Sequence, residues 1–153
     1  MSYQVSSSHT FAMTPERGWD VIVEAPLQEI FNHRSGPIPP VKEMRGAADT
    51  WGHVGDARTV VLADGSSNLE TLVGASRPED YRYELTEFTG PLKALVSKVE
   101  GRFSFEAQGD QTVVTWSWTI HPKNAVAGLG MPVLGFFWKG WAAKMWPKFG
   151  ARV

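Results

Sequence analysis

Residues 112–122, TVVTWSWTIHP, constrain the fold more than any other stretch of the chain. Val114, Trp116, Trp118 and Ile120 alternate with Thr115, Ser117 and Thr119, the period of two that sends apolar side chains to one face of a β-strand. Two tryptophans two residues apart on one face carry more bulk than a flat sheet laid on a helix needs. That face therefore lines or fills a deep concave space. Downstream, residues 132–149 (PVLGFFWKGWAAKMWPKF) place Leu134, Phe137, Trp138, Trp141, Met145 and Phe149 at spacings of three and four, the stripe of an amphipathic helix. Lys139, Lys144, Lys148 and Arg152 flank it, the last ones where cations suit the helix dipole, and Pro147 limits its regularity near the end. Burying each large aromatic contributes about 2 to 3 kcal/mol. The stripe needs a cover, and the inward face of a sheet supplies one.

Taken in order, residues 3–13 alternate weakly, with Tyr3, Val5, Phe11 and Met13 on one side, and read as an arm or an early strand. After the turn signal Thr14-Pro15, residues 19–24 (WDVIVE) alternate as a strand, and Ala25-Pro26 opens a short helix to about His33 with Leu27, Ile30 and Phe31 inward. Residues 35–40 hold Pro37, Pro39 and Pro40, which remove donors and fix the backbone, so this is a stiff loop. Residues 41–45 return as an edge strand, and residues 46–56, with Trp51 and His53, form a longer connection. A meander follows: strands at 58–63, 68–75 and 81–88, separated by turns at Asp64-Gly65-Ser66 and Pro78-Glu79-Asp80 and closed by Gly90-Pro91. Residues 96–106 put Val99, Phe103 and Phe105 on one face and charged or polar residues on the other, a half-solvated antiparallel strand.

For Phe103, Phe105, Trp116 and Trp118 to share a face, directly opposed residue numbers on the two strands must sum to an odd value, because a one-residue slip would expose all four. Gly101 then stands opposite Trp118 or Trp116. A glycine there either lets a ring lie flat across the sheet or leaves a notch, and the notch is the expectation.

Composition removes several function classes. With 153 residues the chain is expected to form one domain over 1–153, with a substantial core. A net charge of −1 without long charge blocks gives no footprint for nucleic acid. The absence of cysteine excludes a disulfide framework, a thiol nucleophile and Cys-ligated zinc, and fits a cytoplasmic location. The start, MSYQVSSSHT, lacks the pattern of a secretory signal. Residues 125–138 are too short, and broken by Pro132, to span a bilayer. No integral membrane segment is expected, and the protein should be soluble, as a monomer or homodimer.

The order of elements, with Val21 to Pro26 followed by Ile30-Phe31, Gly55 and Arg58-Thr59-Val60 before the Asp64-Gly65 turn, Glu70, Gly90-Pro91 and the 112–118 strand, resembles the helix-grip superfamily. That group joins START lipid-transfer domains, birch-pollen-allergen-like proteins and polyketide cyclase/dehydrase-like proteins under the label SRPBCC. The resemblance spans nearly the whole chain but rests on no single specific motif. It implies an α+β fold in which a seven-stranded curved antiparallel sheet wraps a long C-terminal helix, with a short helix after the first strand and an apolar cavity between. The proline-rich 36–40 segment departs from relatives that continue helical there, which puts a second small helix in doubt.

Within such a cavity the expected walls are Tyr83, Phe103, Phe105, Trp116, Trp118, Phe137 and Trp141, with Arg58, Glu70 and Glu87 as polar candidates. Arg58 and Glu70 sit on strands joined by one short turn and are either a solvated cross-strand pair or an inward pair that holds a ligand's oxygen; burial decides. Glu87 shares parity with Tyr81, Tyr83 and Leu85, so it either carries a carboxylate inward, as a general acid or base, or sits at the strand mouth in water. His9, His33, His53 and His121 have no metal-ligand spacing, so neither metal nor cofactor is expected; His53, in a glycine-flanked loop after Trp51, is the one of the four placed to reach a cavity mouth, with a plain surface-loop histidine the preferred reading. Gly128-Leu129-Gly130 fits no dinucleotide fingerprint and reads as a flexible joint. Trp and Lys interleaving in the last helix fits either an aromatic core helix with a wet basic edge or contact with an anionic membrane. The functional expectation is a binder of a small apolar molecule, aromatic, polyketide-like or isoprenoid. The alternative is a cyclase, dehydratase or aromatase that uses an inward carboxylate and pocket shape.

Overall fold

The computed structural model describes residues 1–46 and 51–153, so part of the 46–56 connection lies outside the described residues. Seven strands form one antiparallel sheet in the order β1-β7-β6-β5-β4-β3-β2. They are β1 (Tyr3–Phe11), β2 (Val41–Arg45), β3 (Ala57–Leu62), β4 (Ser67–Ser76), β5 (Asp80–Thr86), β6 (Val96–Gln108) and β7 (Gln111–Pro122). Two helices, α1 (Pro15–Glu24) and α2 (Leu27–Ile30), join β1 to β2; α3 (Leu92–Leu95) precedes β6, and α4 (Ala125–Gly128) leads into the long α5 (Met131–Gly150).

Residues 19–24 are helical, which corrects the strand expected there. Thr14 caps α1, its hydroxyl accepting the Arg17 N–H at 3.2 Å, and Pro15 occupies the first turn beside Glu16. Those three residues form a helix start and not merely a turn. The buried positions Gly18, Trp19, Val21 and Ile22 follow the helical spacing. After α2 the chain turns through a tight Ser35–Ile38 bridge into the proline segment. The short helix expected up to about His33 is thus only four residues long, and the 36–40 segment, where a second small helix was doubted, is not helical.

The β6–β7 register is Gly101 opposite Trp118 and Phe103 opposite Trp116. Phe103 and Trp116 stack, their planes 9° apart, and Trp138 of α5 closes on Trp116 with ring centroids 4.5 Å apart. Gly135 lets α5 approach β1, since a Cβ there would lie 2.8 Å from the Tyr3 ring and 2.9 Å from Val5. The buried face of α5 includes Met131, Trp138, Ala142, Met145, Trp146 and Phe149, and the helix continues through Pro147 to Gly150. Leu134 and Phe137 are only half-buried. Among the described residues no helix is long and apolar enough to cross a membrane.

Candidate functional site

The sheet, α5 and the proline loop enclose a cavity of about 160 Å³ that opens at one end. Aromatic and aliphatic side chains make most of it: Phe31, Tyr81, Tyr83, Phe103, Trp116, Trp118 and Trp141, with Ile22, Val60, Leu62 and Leu85. Pro37, Ile38 and Pro39 form one lip, and Pro91, Leu92, Leu95 and Leu134 another. The stiff loop thus has a place in the site that its sequence did not assign.

One wall is polar. Arg58 stands directly opposite Glu70 in the β3–β4 ladder, and its Nε–H donates to Glu70 Oε1 at 2.5 Å. The two are 7% and 4% exposed, so the pair faces the cavity and not water. The guanidinium also lies 3.8 Å from the centroid of the Trp51 ring, a cation–π contact. Burial pushes the Glu70 carboxyl above its usual range, while the Arg58 charge pulls against that shift. Asn68, two residues back on the same inward face of β4, is also buried, and its Oδ1 has no hydrogen-bond partner among the described residues.

The second polar feature is Tyr83. Its ring lies across Gly101: a Cβ at that glycine would fall 2.0 Å from Tyr83 Cζ. The notch expected beside the tryptophan is therefore filled by a neighbour from β5, which carries its hydroxyl over β6 to β7. There the oxygen accepts from Trp116 Nε1 at 2.8 Å and Trp118 Nε1 at 2.9 Å. An indole N–H can only donate, so both phenolic lone pairs are engaged and the hydroxyl hydrogen remains for a third group. Tyr81 likewise accepts from Trp51 Nε1 at 3.0 Å. Burial raises the pKa of both phenols, with the nearby Glu70 charge adding to it, which keeps them neutral donors.

Not every expected residue is here. Glu87 lies beyond the end of β5, is exposed, and has φ +52°; that left-handed residue breaks the parity, and Phe88 takes the buried position. Phe105 is inward but is covered by α1, where a Cβ on Gly18 would sit 2.8 Å from its ring. Phe137 packs over Gly36 at 2.3 Å from the corresponding Cβ position. Neither phenylalanine lines the cavity. His53 is 78% exposed, 3.8 Å from Asp56, and does not line the mouth. His33 bonds the backbone of Trp141. Gly128 ends α4, and Gly130 stands at the start of α5. Among the described residues no group of three or more His, Asp or Glu is placed to hold a metal ion. Asn68 and the two lips were missed as site residues, although Asn68 shares parity with Glu70; Tyr81, in parity with Tyr83, belongs to the inward tyrosine set but was not among the expected walls.

The sequence profile of the family described as "Polyketide cyclase / dehydrase and lipid transport" matches residues 2–153. No curated protein matches the sequence. Among solved structures, the chain is similar to the major latex-like protein 151 of Panax ginseng, at 11% identity and a TM-score of 0.73 over 99% of this chain and 97% of that one. It is also similar to Ara h 8.0201, at 16% identity and 0.66 over 99% and 97%. Norcoclaurine synthase of Thalictrum flavum, solved with dopamine and hydroxybenzaldehyde, aligns at 16% identity and 0.70 over 99% and 86%. At these identities the structures speak for the helix-grip fold alone.

Proposed function

Because the chain belongs to the polyketide cyclase / dehydrase and lipid transport family, we propose that it binds a small apolar molecule with a single ring-sized body and one oxygen-bearing head. The observation that carries this reading is a polar wall with unspent valences in an otherwise apolar cavity. Among the described residues, the Tyr83 hydroxyl hydrogen is uncommitted after both lone pairs accept from tryptophans, and the buried Asn68 Oδ1 has no partner. A buried polar atom left without a partner costs about 1 to 3 kcal/mol, which a ligand that carries both an acceptor and a donor would recover. A phenol or hydroxylated aryl ketone has that chemistry. The volume favours the small end of the expected ligands: a dry cavity of about 150 Å³ accommodates a benzene-sized ring, so an isoprenoid or polyketide chain would extend through the mouth. In this reading Tyr83, Phe103, Trp116, Trp118 and Trp141 hold the ring, and Arg58 and Glu70 meet the head.

The buried Glu70 favours a second reading, in which the protein is a cyclase, dehydratase or aromatase. A carboxyl with a raised pKa is suited to exchange protons, and the Tyr83 O–H would polarise the carbonyl beside which an enol forms. Glu87, exposed, has no part in it. The test is tryptophan-fluorescence titration with a fused-ring phenol, an isoprenoid quinone and a long acyl chain, each followed by mass spectrometry. Saturable quenching by the phenol, recovered unchanged, supports a carrier. A dehydrated or cyclised product that disappears in Glu70→Gln supports the enzyme. Quenching by none of the three refutes the cavity reading.

A further inference from the structure

The helix that closes the cavity is apolar on both sides. Its inner face holds Trp138, Met145 and Phe149. Outside, Val126, Leu129, Val133 and Phe136 are 79%, 82%, 60% and 73% exposed, at spacings of three, four and three that continue one stripe from α4 into α5. No charged residue occurs from position 124 to 138. A solvent-facing stripe of this size calls for a partner. The aromatic stripe that covers the sheet and the apolar stripe that faces solvent are therefore separate, so the last helix can do both.

The stripe continues to the cavity mouth. Next to α5, α3 packs against α4, and Lys123 Nζ donates to the Lys93 carbonyl at 3.1 Å. The outer face therefore runs into Leu92, Leu95 and Leu134, which line the cavity. Its charge is of one sign. Residues 88–99 and 111–153 contain no Asp or Glu, although the chain has 16 acidic residues. Lys93, Lys123 and Lys139 border the stripe and are exposed. Unlike Lys98, which meets Glu84 and Glu100, none of the three pairs with a carboxylate among the described residues. The carboxylates on the neighbouring turns are Glu87 and Asp64, the latter held by Ser66.

We propose that this face, the outer side of α4 and the first half of α5 with α3, docks the protein on an anionic lipid surface. The apolar stripe enters the acyl boundary, Lys93, Lys123 and Lys139 meet headgroup phosphates, and the cavity mouth opens onto the membrane. A second copy fits less well: a two-fold interface sets the patch against itself, which opposes the lysines to one another. The proposal stands whether or not the cavity binds the ligand class above.

The test is flotation with vesicles of two parts phosphatidylcholine to one part phosphatidylglycerol, against phosphatidylcholine alone. Binding should be at least about ten-fold stronger to the anionic vesicles and should weaken as salt is added. Phe136→Asp and Val133→Asp should each lower it by about ten-fold or more, with unchanged circular dichroism and unchanged ligand quenching, because both side chains are on the surface. Val73→Asp, an exposed apolar position on β4, should leave it as it is. Absence of anionic-vesicle binding, or binding indifferent to Phe136→Asp, overturns the proposal. So does a wild-type dimer that Phe136→Asp converts to monomer without any vesicle binding, which would assign the face to a second copy.

Discussion

Replacing Tyr83 by Phe removes one oxygen, and the structure makes the effect larger than that sounds. The hydroxyl is the acceptor for two indole N–H groups, those of Trp116, 1% exposed, and Trp118, half-buried. Each donor left unsatisfied costs about 1 to 3 kcal/mol, with Trp118 at the low end because it borders the cavity. Removing the phenol's own buried and uncommitted O–H returns about 1 kcal/mol. The net loss should be about 1 to 3 kcal/mol, a fall in Tm of about 3 to 10 °C for a chain of this size. Tyr81→Phe is the internal control: it deprives a single, half-buried donor, Trp51, and the same return from its own buried O–H should leave a cost below about 1 kcal/mol. Urea denaturation followed by far-UV circular dichroism measures both, with an unchanged m-value as the condition for reading the midpoint as stability. Gly101→Ala extends the argument, because its Cβ would occupy the place of the Tyr83 ring and should cost about 1 to 3 kcal/mol by overpacking. In Tyr83→Phe/Gly101→Ala the two losses should be clearly sub-additive, since each disrupts the same pair of hydrogen bonds. A Tyr83→Phe loss below about 0.5 kcal/mol, or one no larger than that of Tyr81→Phe, would refute the double-acceptor role.

The buried ion pair and the His33 contact give two more predictions. Glu70→Ala strands the buried Arg58 cation and should cost about 3 to 5 kcal/mol, whereas Arg58→Met/Glu70→Leu should be close to neutral or stabilising while ligand quenching is lost; a double variant as unstable as the single one contradicts this. His33 donates from Nε2 to the Trp141 carbonyl at 2.8 Å and accepts the Lys148 ammonium at Nδ1, 2.7 Å away, an arrangement possible only for the neutral ring. Burial first, then Lys148 and Lys144, lowers its pKa below 6.5, against a Trp141 hydrogen bond that raises it. Its stabilising contribution is therefore complete above that value and is lost as pH falls through the folded-state pKa. Thermal melts between about pH 5 and pH 7 should show a slope of stability with pH that His33→Gln flattens; equal slopes in both proteins would exclude His33 as its source.

How much of this the sequence disclosed depends on whether the deciding signal was local. The β6–β7 register was legible because bulk and parity agree at Phe103, Trp116 and Trp118. In residues 19–24 a period of two and a helical period both fit six residues, and only the flanking Thr14-Pro15-Glu16 separates them. Of the two readings of Glu87, the inward one fails because parity assumes a straight strand, and one positive φ ends that assumption. Gly101 announced an unusual ring contact, but its neighbours on both sides, Tyr83 and Trp118, compete for the space, and sequence does not rank them. Phe105 and Phe137 show that facing inward differs from facing the cavity: α1 covers one, and the proline loop's Gly36 meets the other.

What covers each position also accounts for where the polar residues are. Five polar or charged side chains are buried among the described residues: Ser35, Arg58, Asn68, Glu70 and Thr112. Ser35 and Thr112 donate to the backbone carbonyls of Phe137 and Met13, both at 2.7 Å, and so serve to fasten the chain. The other three lie together on β3 and β4, all on the cavity wall. Had α5 or α1 packed directly on that end of the sheet, as they do over Trp116 and Phe105, an ion pair and an amide there would be a large net cost against aliphatic side chains. The polar wall and the uncovered sheet are therefore one feature. A variant that fills the space, such as Val60→Phe, opposite Asn68 in the ladder, should abolish ligand quenching while sparing the fold if the wall serves a ligand, and quenching that survives it would place the ligand elsewhere.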